Sequence, residues 1–525
     1  MIVKSPAPAI RFRDVRYLVA EGETVLDALL RQGAEVAHSC RKGSCHTCVL
    51  RCDEGDVHHD KAIDAAILDS GHILPCVARA SGEVRLSPPE LDRLSIAADI
   101  VSRRELGGGI FEIGIAPLKE MAFSGGQHLQ IVRADGLSRS YSLASLPDED
   151  FFFVVHVRRF DGGVMSQWLC VDADIGARVR LFTPQGDCHY RAEMAQRPLL
   201  LLATGSGAGA MAAVARDALA SGHRASIALY HGVRFDDELY LHDTLTTLAQ
   251  RHPNFSYVPC VSGALGEQIL SAGTFAGRVT SSAFAAGKDL AETEVFLCGS
   301  PAMVEDARCL AVGAGAVRSR IHADPFEGSG FAPPRDAEKI SDILADEELW
   351  NALGRGPGLT RILDAFYLRV YADERLSPFF HGLPRDQIVA KQYAFLADLF
   401  SGARNYFGMN PFNAHHWMVI SDDLFDHREA LFEQTLRDHG LPEPMIRRWE
   451  ALHERFRAEI VKPVARGMVM RGEEQPLRLH EVDHLDIDTV CDGCGSEIPA
   501  GRPSRYQHRL GTLHCSACAG ISASD

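Results

Sequence analysis

Residues 40–48 read Cys-Arg-Lys-Gly-Ser-Cys-His-Thr-Cys, and a further cysteine, Cys76, follows after a gap. The chain has 14 cysteines in 525 residues. Its first seven residues do not join a basic start to a continuous apolar run, so we expect a cytoplasmic protein. In that compartment, clustered cysteines more often bind metal or carry redox chemistry than form disulfides.

The spacing Cys40-x4-Cys45-x2-Cys48 with a distant Cys76 resembles that of plant-type [2Fe–2S] ferredoxins, in which four thiolates hold the two irons. A zinc site is the weaker alternative, because a zinc knuckle usually shows two close cysteine pairs. The resemblance implies a [2Fe–2S] cluster in a β-grasp ferredoxin domain, which we place at residues 1–90.

Length and charge limit the class of protein. A single hydrophobic core usually stops growing near about 250 to 300 residues, so we expect a multidomain protein. With 54 basic and 70 acidic residues, the net charge is −16 and the pI is about 5.8. This balance argues against nucleic acid and anionic membranes as partners. Glycines also interrupt the most apolar run, Leu199 to Ala215, so we expect no membrane span.

Alternating apolar runs such as His128 to Val132 predict an antiparallel β-barrel over residues 91–192. Within it, Arg139-Ser140-Tyr141-Ser142 resembles the flavin signature of the ferredoxin–NADP reductase superfamily. The resemblance implies that Arg139 pairs with the FAD pyrophosphate, that Tyr141 packs on the isoalloxazine, and that Ser142 reaches the N5 region of the flavin.

The same resemblance implies a second FAD-binding segment in the barrel. Its residues are Gly163, Val164, Met165 and Ser166, preceded by Gly162. At the start of a helix, their backbone N–H groups would point towards phosphate.

Alternating strand and helix patterns over residues 193–328 predict a parallel α/β nucleotide-binding domain. Gly205-Ser206-Gly207 follows an apolar strand, where glycine lets the pyrophosphate of a dinucleotide approach closely. In the superfamily resembled, the motif that begins Cys298-Gly299 lies beside the nicotinamide. Asp236, Asp237 and Glu238 would repel a 2′-phosphate, which favours NADH over NADPH. Phe326 would cover the flavin, although a packing role is nearly as good an interpretation.

After a linker at residues 329–343, amphipathic helical periodicity predicts an all-α domain at 344–468. The segment from Phe366 to Asp373, the pair Lys391-Gln392 and the pair Ala414-His415 resemble group I truncated haemoglobins. That resemblance makes His415 the proximal ligand of haem b, since neutral imidazole is a standard axial ligand.

The same resemblance implies the other side of the haem pocket. Tyr367 and Gln392 would lie over the iron and donate to bound oxygen. Ile388 occupies the place where many globins have a histidine, and Phe380 would wedge the haem.

Two close pairs, Cys491-x2-Cys494 and Cys515-x2-Cys518, predict a zinc-ribbon-like domain at residues 485–525. Such a short segment cannot build a large core, so a structural zinc ion would supply much of its folding energy. A rubredoxin-like iron would give a similar sequence pattern.

The order of these modules leads to a functional hypothesis. Electrons would pass from NADH to FAD, then to the cluster, and then to the globin haem, where NO and O2 would become nitrate. The arrangement resembles that of flavohaemoglobins, with the globin at the opposite end and a cluster added. One alternative is a reductase for a separate oxygenase partner, with the globin as gas sensor. Another is reduction of nitrite, hydroxylamine or peroxide at the haem. The sequence does not indicate the oligomeric state.

Overall fold

In the computed structural model, the chain folds into two compact units, residues 1–331 with 447–455 and residues 332–446 with 456–525. Among the described residues, none of the helices is both long and apolar enough to cross a bilayer. The structure describes residues 8–19, 23–36, 38, 43, 46–60, 63–90, 94–147, 149–263, 273–284, 288–326, 334–380, 383–406, 408–462, 465–470, 473–474, 483–484, 488–491, 494–507, 512–519 and 521.

The first unit begins with a small mixed sheet, in the order β2-β1-β7-β3-β5, on which one helix packs. β1 and β7 are parallel and the other neighbours are antiparallel. The helix begins where the Thr24 side chain accepts a hydrogen bond from the Asp27 N–H, an N-cap. The elements are β1 (Ala9–Phe12), β2 (Val15–Leu18), α1 (Val25–Arg31), β3 (Leu50–Glu54), β4 (Val57–His59), α2 (Ala65–Asp69), β5 (His72–Ile73), β6 (Ala78–Ala80) and β7 (Glu83–Ser87).

An antiparallel barrel follows, in the order β11-β10-β13-β8-β9-β12. A bridge between Leu143 and Val155 joins the first and last strands of that order and closes the barrel. Side chains alternate between core and surface along the strands, as a single-sided core requires. The elements are β8 (Ser95–Gly107), β9 (Ile110–Pro117), β10 (His128–Val132), β11 (Ser138–Ser142), β12 (Phe153–Arg158), α3 (Val164–Gln167) and β13 (Arg178–Phe182).

A parallel sheet completes the first unit, in the order β17-β16-β15-β14-β18-β19. Its central strands are almost continuously apolar, because helices cover both faces. The elements are β14 (Leu199–Thr204), α4 (Gly207–Ala220), β15 (Ile227–Val233), α5 (His242–Arg251), β16 (Phe255–Val261), β17 (Phe275–Ala276), α6 (Val279–Ala283), β18 (Glu294–Gly299), α7 (Pro301–Gly313) and β19 (Ile321–Pro325).

An all-helical region follows. Pro357 opens the helix that carries Tyr367, and Gly402, at a left-handed φ of 69°, ends the helix that carries Gln392. The helices are α8 (Asp336–Ser341), α9 (Glu347–Ala352), α10 (Pro357–Ala372), α11 (Arg385–Ser401), α12 (Pro411–His415), α13 (Asp422–Asp438), α14 (Glu443–Glu454) and α15 (Arg457–Ile460).

α8 lies inside the predicted linker at residues 329–343. It is ordered because it has partners of its own: Lys339 pairs with Glu459 at 2.7 Å, and Asp336 accepts from the Phe412 N–H at 2.8 Å. Asp336, Lys339 and Glu459 are all buried. Each of these charged groups therefore needs a partner, because an unpaired buried charge is costly.

Short strands end the chain, with a three-stranded sheet in the order β22-β25-β26. The elements are β20 (Val469–Met470), β21 (Glu473–Glu474), β22 (Asp483–His484), β23 (Thr489–Val490), β24 (Glu497–Ile498), β25 (Pro503–Gln507), β26 (Thr512–Cys515) and α16 (Ser516–Ala519). The predicted succession of folds is confirmed, whereas the exact domain boundaries stay predictions.

Candidate functional site

The parallel sheet has a topological switch point between β14 and β18, since the strand order runs outward from this pair in both directions. Ligands of open α/β sheets bind in the crevice at the carboxyl ends of such strands. The glycine loop that begins at Gly205 follows β14, and Cys298-Gly299 ends β18. The structure therefore places both predicted nucleotide-binding motifs at this crevice.

These two loops are in backbone contact. A Cβ atom on Gly207 would lie 2.6 Å from the Cys298 carbonyl oxygen, and one on Gly299 would lie 2.3 Å from Thr204 Oγ1. Gly299 also has a φ of 129°, a conformation that favours glycine. The Ser300 N–H donates to Thr204 Oγ1 at 2.8 Å. Glycines at these two positions fit a dinucleotide site, because the pyrophosphate must approach the protein backbone closely.

The flavin motif and the second nucleotide motif meet through one hydrogen bond. Ser142 Oγ donates to Asp324 Oδ2 at 2.5 Å, and Asp324 is the register partner of Cys298 on the neighbouring strand. Cys298 is completely buried, and burial raises the pKa of its thiol well above the ordinary value. The Phe326 N–H donates to the Gly299 carbonyl at 2.8 Å. The predicted flavin residue Ser142 and the predicted nicotinamide residue Cys298 thus lie close together.

The remaining predicted FAD residues lie on the barrel. Arg139 and Tyr141 are on β11, where the Arg139 guanidinium donates to the Ser138 carbonyl and burial raises the Tyr141 pKa. Gly163 precedes the short helix α3, which contains Val164, Met165 and Ser166. Ser166 Oγ bridges the turn by donating to the Gly163 carbonyl at 3.1 Å.

A glutamine that the sequence analysis missed joins the flavin-binding barrel to the segment that carries Thr47 and Cys48, here called the cluster loop. Gln130 Nε2 donates to Thr47 Oγ1 at 2.8 Å and to Ser138 Oγ at 3.0 Å, and the residue is 4% exposed. Thr47 is adjacent to Cys48, and Gln130 pairs in register with Ser140 of the flavin motif. No sequence motif marks Gln130, because its role depends on contacts between distant segments.

Two further residues that the sequence analysis missed, Tyr240 and His156, contact the glycine loop that begins at Gly205. The Tyr240 hydroxyl lies 3.0 Å from His156 Nδ1 and donates to the Ser206 carbonyl at 3.3 Å. The His156 ring lies against Gly209, where a Cβ atom would be 2.2 Å from Nδ1. His156 is on the barrel strand β12, so this contact fixes the loop to the flavin-binding barrel.

One of the three acidic residues after β15, Glu238, forms hydrogen bonds within its own loop. Glu238 accepts from the Arg234 and Phe235 N–H groups at 2.9 and 3.1 Å, and pairs with Arg158 at 3.1 Å. Repulsion of a 2′-phosphate therefore falls mainly to Asp236 and Asp237, and the preference for NADH stays a prediction.

Cys48 and Cys76 of the predicted cluster are 3% and 2% exposed and share one hydrophobic cluster. Their burial would keep solvent from a bound [2Fe–2S] group. Cys40 and Cys45 lie outside the described residues, so the complete ligand set stays a prediction.

His415, the predicted axial haem ligand, is held by one hydrogen bond to the backbone. Its Nδ1 donates to the Pro411 carbonyl at 2.8 Å, which leaves Nε2 as the atom with a free lone pair. Burial, and then the charge of Lys462, lower its pKa to about 4, so the neutral ring that binds iron is favoured. His416 instead donates to the Arg466 carbonyl at 2.9 Å. Both histidines therefore use Nδ1 in a bond to a backbone carbonyl, and the choice of His415 over its neighbour stays a prediction.

The predicted distal residues share the helices α10 and α11, which pack against each other. Tyr367 is 6% exposed, and its ring lies 5.8 Å from that of Phe380. Ile388 and Gln392 are one helical turn apart on α11 and half-buried, so they share a face. Their roles towards a ligand stay predictions.

The side chains of the four C-terminal cysteines lie close together and form a candidate metal site, here called the metal cage. The sulfur atoms of Cys491, Cys494, Cys515 and Cys518 all lie within 4.8 Å of one another. The Cys494 and Cys515 sulfurs are 3.8 Å apart. A tetrahedron with Zn–S bonds of about 2.3 Å has an edge of about 3.8 Å. The donor set therefore fits one tetrahedral ion such as zinc.

Comparison with known protein families agrees with this assembly. Residues 11–81 match the 2Fe-2S iron-sulfur cluster binding domain, and residues 109–190 match the oxidoreductase FAD-binding domain. Residues 201–309 match the oxidoreductase NAD-binding domain, and residues 348–461 match the bacterial-like globin.

The reductase subunit of an aromatic O-demethylase from Amycolatopsis is 33% identical over 54% of this chain and 88% of its own length. The chain belongs to the family of oxygenase reductase components. Reductase component 1 of a Comamonas terephthalate 1,2-dioxygenase is 29% identical over 60% of this chain and 96% of its own. A solved cytochrome P450 reductase from Amycolatopsis covers 62% of this chain and 100% of its own, at 28% identity and a TM-score of 0.45.

As a member of this family, the protein is an NAD(P)H-dependent electron-transfer reductase with FAD and a [2Fe–2S] cluster. It also has a globin domain for haem. The predictions of these cofactors are confirmed, and the C-terminal cysteine cluster can bind a metal.

The contact at Gly207 predicts a specific loss. Gly207→Ala places a methyl group against the Cys298 carbonyl, and overpacking costs about 1–3 kcal/mol. We expect the dissociation constant for NADH, measured by flavin quenching or calorimetry, to rise about tenfold. Gly82→Ala is the control, since nothing lies within 4 Å of that position. An unchanged dissociation constant for Gly207→Ala would show that this loop does not bind the nucleotide.

Gln130→Leu tests the link between flavin and cluster. Loss of a neutral hydrogen bond of about 1 kcal/mol would lower the equilibrium constant for docking of the cluster loop about fivefold. Stopped-flow absorbance should show cluster reduction slowed by up to this factor, while flavin reduction by NADH keeps its rate. Gln250→Leu, an exposed change in α5, should leave both rates as they are. Equal slowing of both steps by Gln130→Leu would contradict a role at the cluster.

Cys494→Ser tests the metal cage. With one of its four thiolates removed, the protein should lose its zinc, measured by elemental mass spectrometry. The flavin, cluster and haem absorbance should persist. Cys52→Ser, outside the cage, should retain the metal, and a full zinc content in Cys494→Ser would exclude this site.

Proposed function

We propose that this protein is an NAD(P)H-driven nitric oxide dioxygenase, which converts NO and O2 to nitrate. The proposal rests on the presence in one chain of an FAD, NAD and [2Fe–2S] reductase and of a globin domain, in which the candidate axial ligand His415 uses Nδ1 in a bond to the Pro411 carbonyl. An oxygen store does not consume electrons in each binding cycle, whereas a dioxygenase must be reduced again after every turnover.

When bound, FAD, the [2Fe–2S] cluster, the haem and the nicotinamide supply hydride transfer, one-electron transfer and oxygen chemistry. NO and O2 together take up one electron to become nitrate, so the hydride of one NADH serves two turnovers. The protein residues hold these groups in order and exclude water from them.

The reductase residues have positioning roles in this scheme. Gly207 and Gly299 let the nucleotide approach the sheet edge, and Ser142 with Asp324 forms a hydrogen-bonded pair beside Cys298. Gln130 holds the cluster loop against the flavin-binding barrel. With Asp236 and Asp237 after β15, NADH is the proposed electron donor.

The globin residues orient the gaseous ligand. The Pro411 carbonyl holds the ring of His415, and the buried Tyr367 hydroxyl is the proposed donor to bound oxygen, with Gln392 beside it on α11. A donor aimed at developing negative charge is most effective where water is excluded.

A second function is favoured by the relatives. Several are reductase components of oxygenases or demethylases, which pass electrons to another protein. In that case the cluster would reduce a separate oxygenase, and the globin would sense a gas.

The two functions differ in what happens after one reaction with NO. Oxygenated protein with excess NADH is mixed with NO in a stopped-flow instrument, and nitrate is measured. The dioxygenase should consume NO repeatedly, with nitrate equal to the NO consumed. A single turnover that ends in unreduced haem would reject the proposal and favour the sensor.

His415→Ala is the matched control for that experiment. It should lose haem and NO consumption while NADH-driven reduction of ferricyanide continues, because the reductase is intact. Continued NO consumption without haem would show that the globin is not the site of the reaction.

Tyr367→Phe tests the distal donor. Loss of its hydrogen bond should speed oxygen dissociation about tenfold, the equivalent of about 1.4 kcal/mol. Flash photolysis or stopped-flow with an oxygen scavenger measures this rate. Tyr371→Phe, on the same helix with its hydroxyl on the Leu383 carbonyl, should change the rate little. An unchanged rate in Tyr367→Phe would remove Tyr367 from the ligand pocket.

A further inference from the structure

One strand of the flavin-binding barrel lies against the glycine loop of the nucleotide sheet. His156 and Arg158 on β12 share one face of that strand, while Val157 between them lies in the barrel core. A Cβ atom on Gly209 would lie 2.2 Å from Nδ1 of His156. A Cβ atom on Gly205 would lie 3.3 Å from Nη2 of Arg158. The barrel therefore supplies one wall of the nucleotide site.

The guanidinium of Arg158 covers the first glycine of the loop. From a Cβ atom on Gly205, Nη2 would lie at 3.3 Å, Nε at 3.6 Å and Cζ at 3.7 Å. The edge formed by Nε and Nη2 is therefore the part of the guanidinium that lies nearest to the loop. The Arg158 side chain is 28% exposed, so a ligand at the loop can reach it.

Glu238 holds this guanidinium in place. Its Oε1 accepts from Arg158 Nη1 at 3.1 Å, whereas its Oε2 accepts from the N–H groups of Arg234 and Phe235. In the part of the chain that the structure describes, Nε and Nη2 of Arg158 have no hydrogen-bond partner. A guanidinium has five N–H donors, so the edge nearest to the glycine loop keeps its donors for a ligand.

This edge has the chemistry of a phosphate-binding group. The N–H groups of Nε and Nη2 form a planar fork that matches two oxygens of a phosphate. The same loop opens α4, and the N-terminus of a helix also favours an anion. In a dinucleotide site, the anion that approaches the glycine loop is the pyrophosphate.

We propose that Arg158, a residue of the flavin-binding barrel, binds the pyrophosphate of the nicotinamide dinucleotide, with Glu238 as its positioning residue. The nucleotide is then held from two sides, by the glycine loop of the sheet and by β12 of the barrel. This inference concerns the reductase and does not depend on nitric oxide dioxygenase activity.

The test uses the full-length protein loaded with its cofactors and mixed anaerobically with NADH in a stopped-flow instrument. The rate of flavin reduction as a function of NADH concentration gives a dissociation constant and a limiting rate. In Arg158→Gln the dissociation constant should rise about tenfold, as expected for a lost charge-assisted hydrogen bond. The limiting rate should change less than about twofold, since binding and not hydride transfer is affected. Arg158→Lys keeps the charge without the fork, and its dissociation constant should rise only about threefold.

Two other hydride donors identify the group that is recognised. 1-Benzyl-1,4-dihydronicotinamide has no phosphate, so it should reduce the flavin of Arg158→Gln and of the unchanged protein at the same rate. NADPH has the pyrophosphate and an additional 2′-phosphate, and its affinity should fall by the same factor as that of NADH. A loss confined to NADPH would contradict the proposal, because Arg158 would then bind the 2′-phosphate. Equal slowing with the phosphate-free donor would contradict it as well.

Two further variants control for structure. Arg158→Gln leaves the Glu238 carboxylate without this partner, so the same substitution is also made in a Glu238→Gln background, where affinity for NADH should again fall. If affinity does not fall in that background, the unpaired carboxylate caused the loss and the proposal is wrong. Arg178→Gln, an exposed change in the barrel at a residue paired with Asp99, should leave nucleotide binding as it is.

An unchanged dissociation constant for NADH in FAD-containing Arg158→Gln would overturn the proposal. Loss of FAD from both the single and the double variant would also overturn it, since Arg158 would then be structural. Because nitrate formation is measured separately, failure of the dioxygenase proposal leaves these binding results unaffected.

Discussion

Close backbone approach at the switch point of the parallel sheet is the constraint on which the reductase depends. The Gly207 Cα lies so near the Cys298 carbonyl that no side chain fits between them. This contact places the two nucleotide motifs beside each other at the end of β14 and β18. The hydrogen bond from Ser142 to Asp324 then brings the flavin strand to the same crevice. These short contacts bring the flavin motif and both nucleotide motifs to one edge of the sheet.

Polar side chains hold the modules of the first unit in register where hydrophobic burial alone would be non-directional. Gln130 connects the cluster loop to the barrel, and Tyr240 with His156 connects the barrel to the glycine loop. Partly buried hydrogen bonds of this kind favour one arrangement, because leaving their partners unsatisfied is costly.

The globin combines a buried aromatic cluster with a few directed polar groups. The Pro411 carbonyl fixes the tautomer of His415, and Tyr367 contacts the aromatic cluster that also holds Arg428. The helices α10 and α13, which carry Tyr367 and Arg428, pack against each other.

The sequence by itself determined what depends on local spacing: the cysteine pairs, the strand and helix periodicities and the glycine turns. These features are local because covalent geometry and side-chain period fix them over a few residues. Only the tertiary structure decided the contacts between residues far apart in the chain. Gln130 and Thr47 are 83 residues apart, and Ser142 and Asp324 are 182 apart. In the sequence, the residues next to Arg428 are polar and form no motif. Only the fold brings its guanidinium to the ring of Phe366. Such pairings depend on how whole elements pack, which no short pattern encodes.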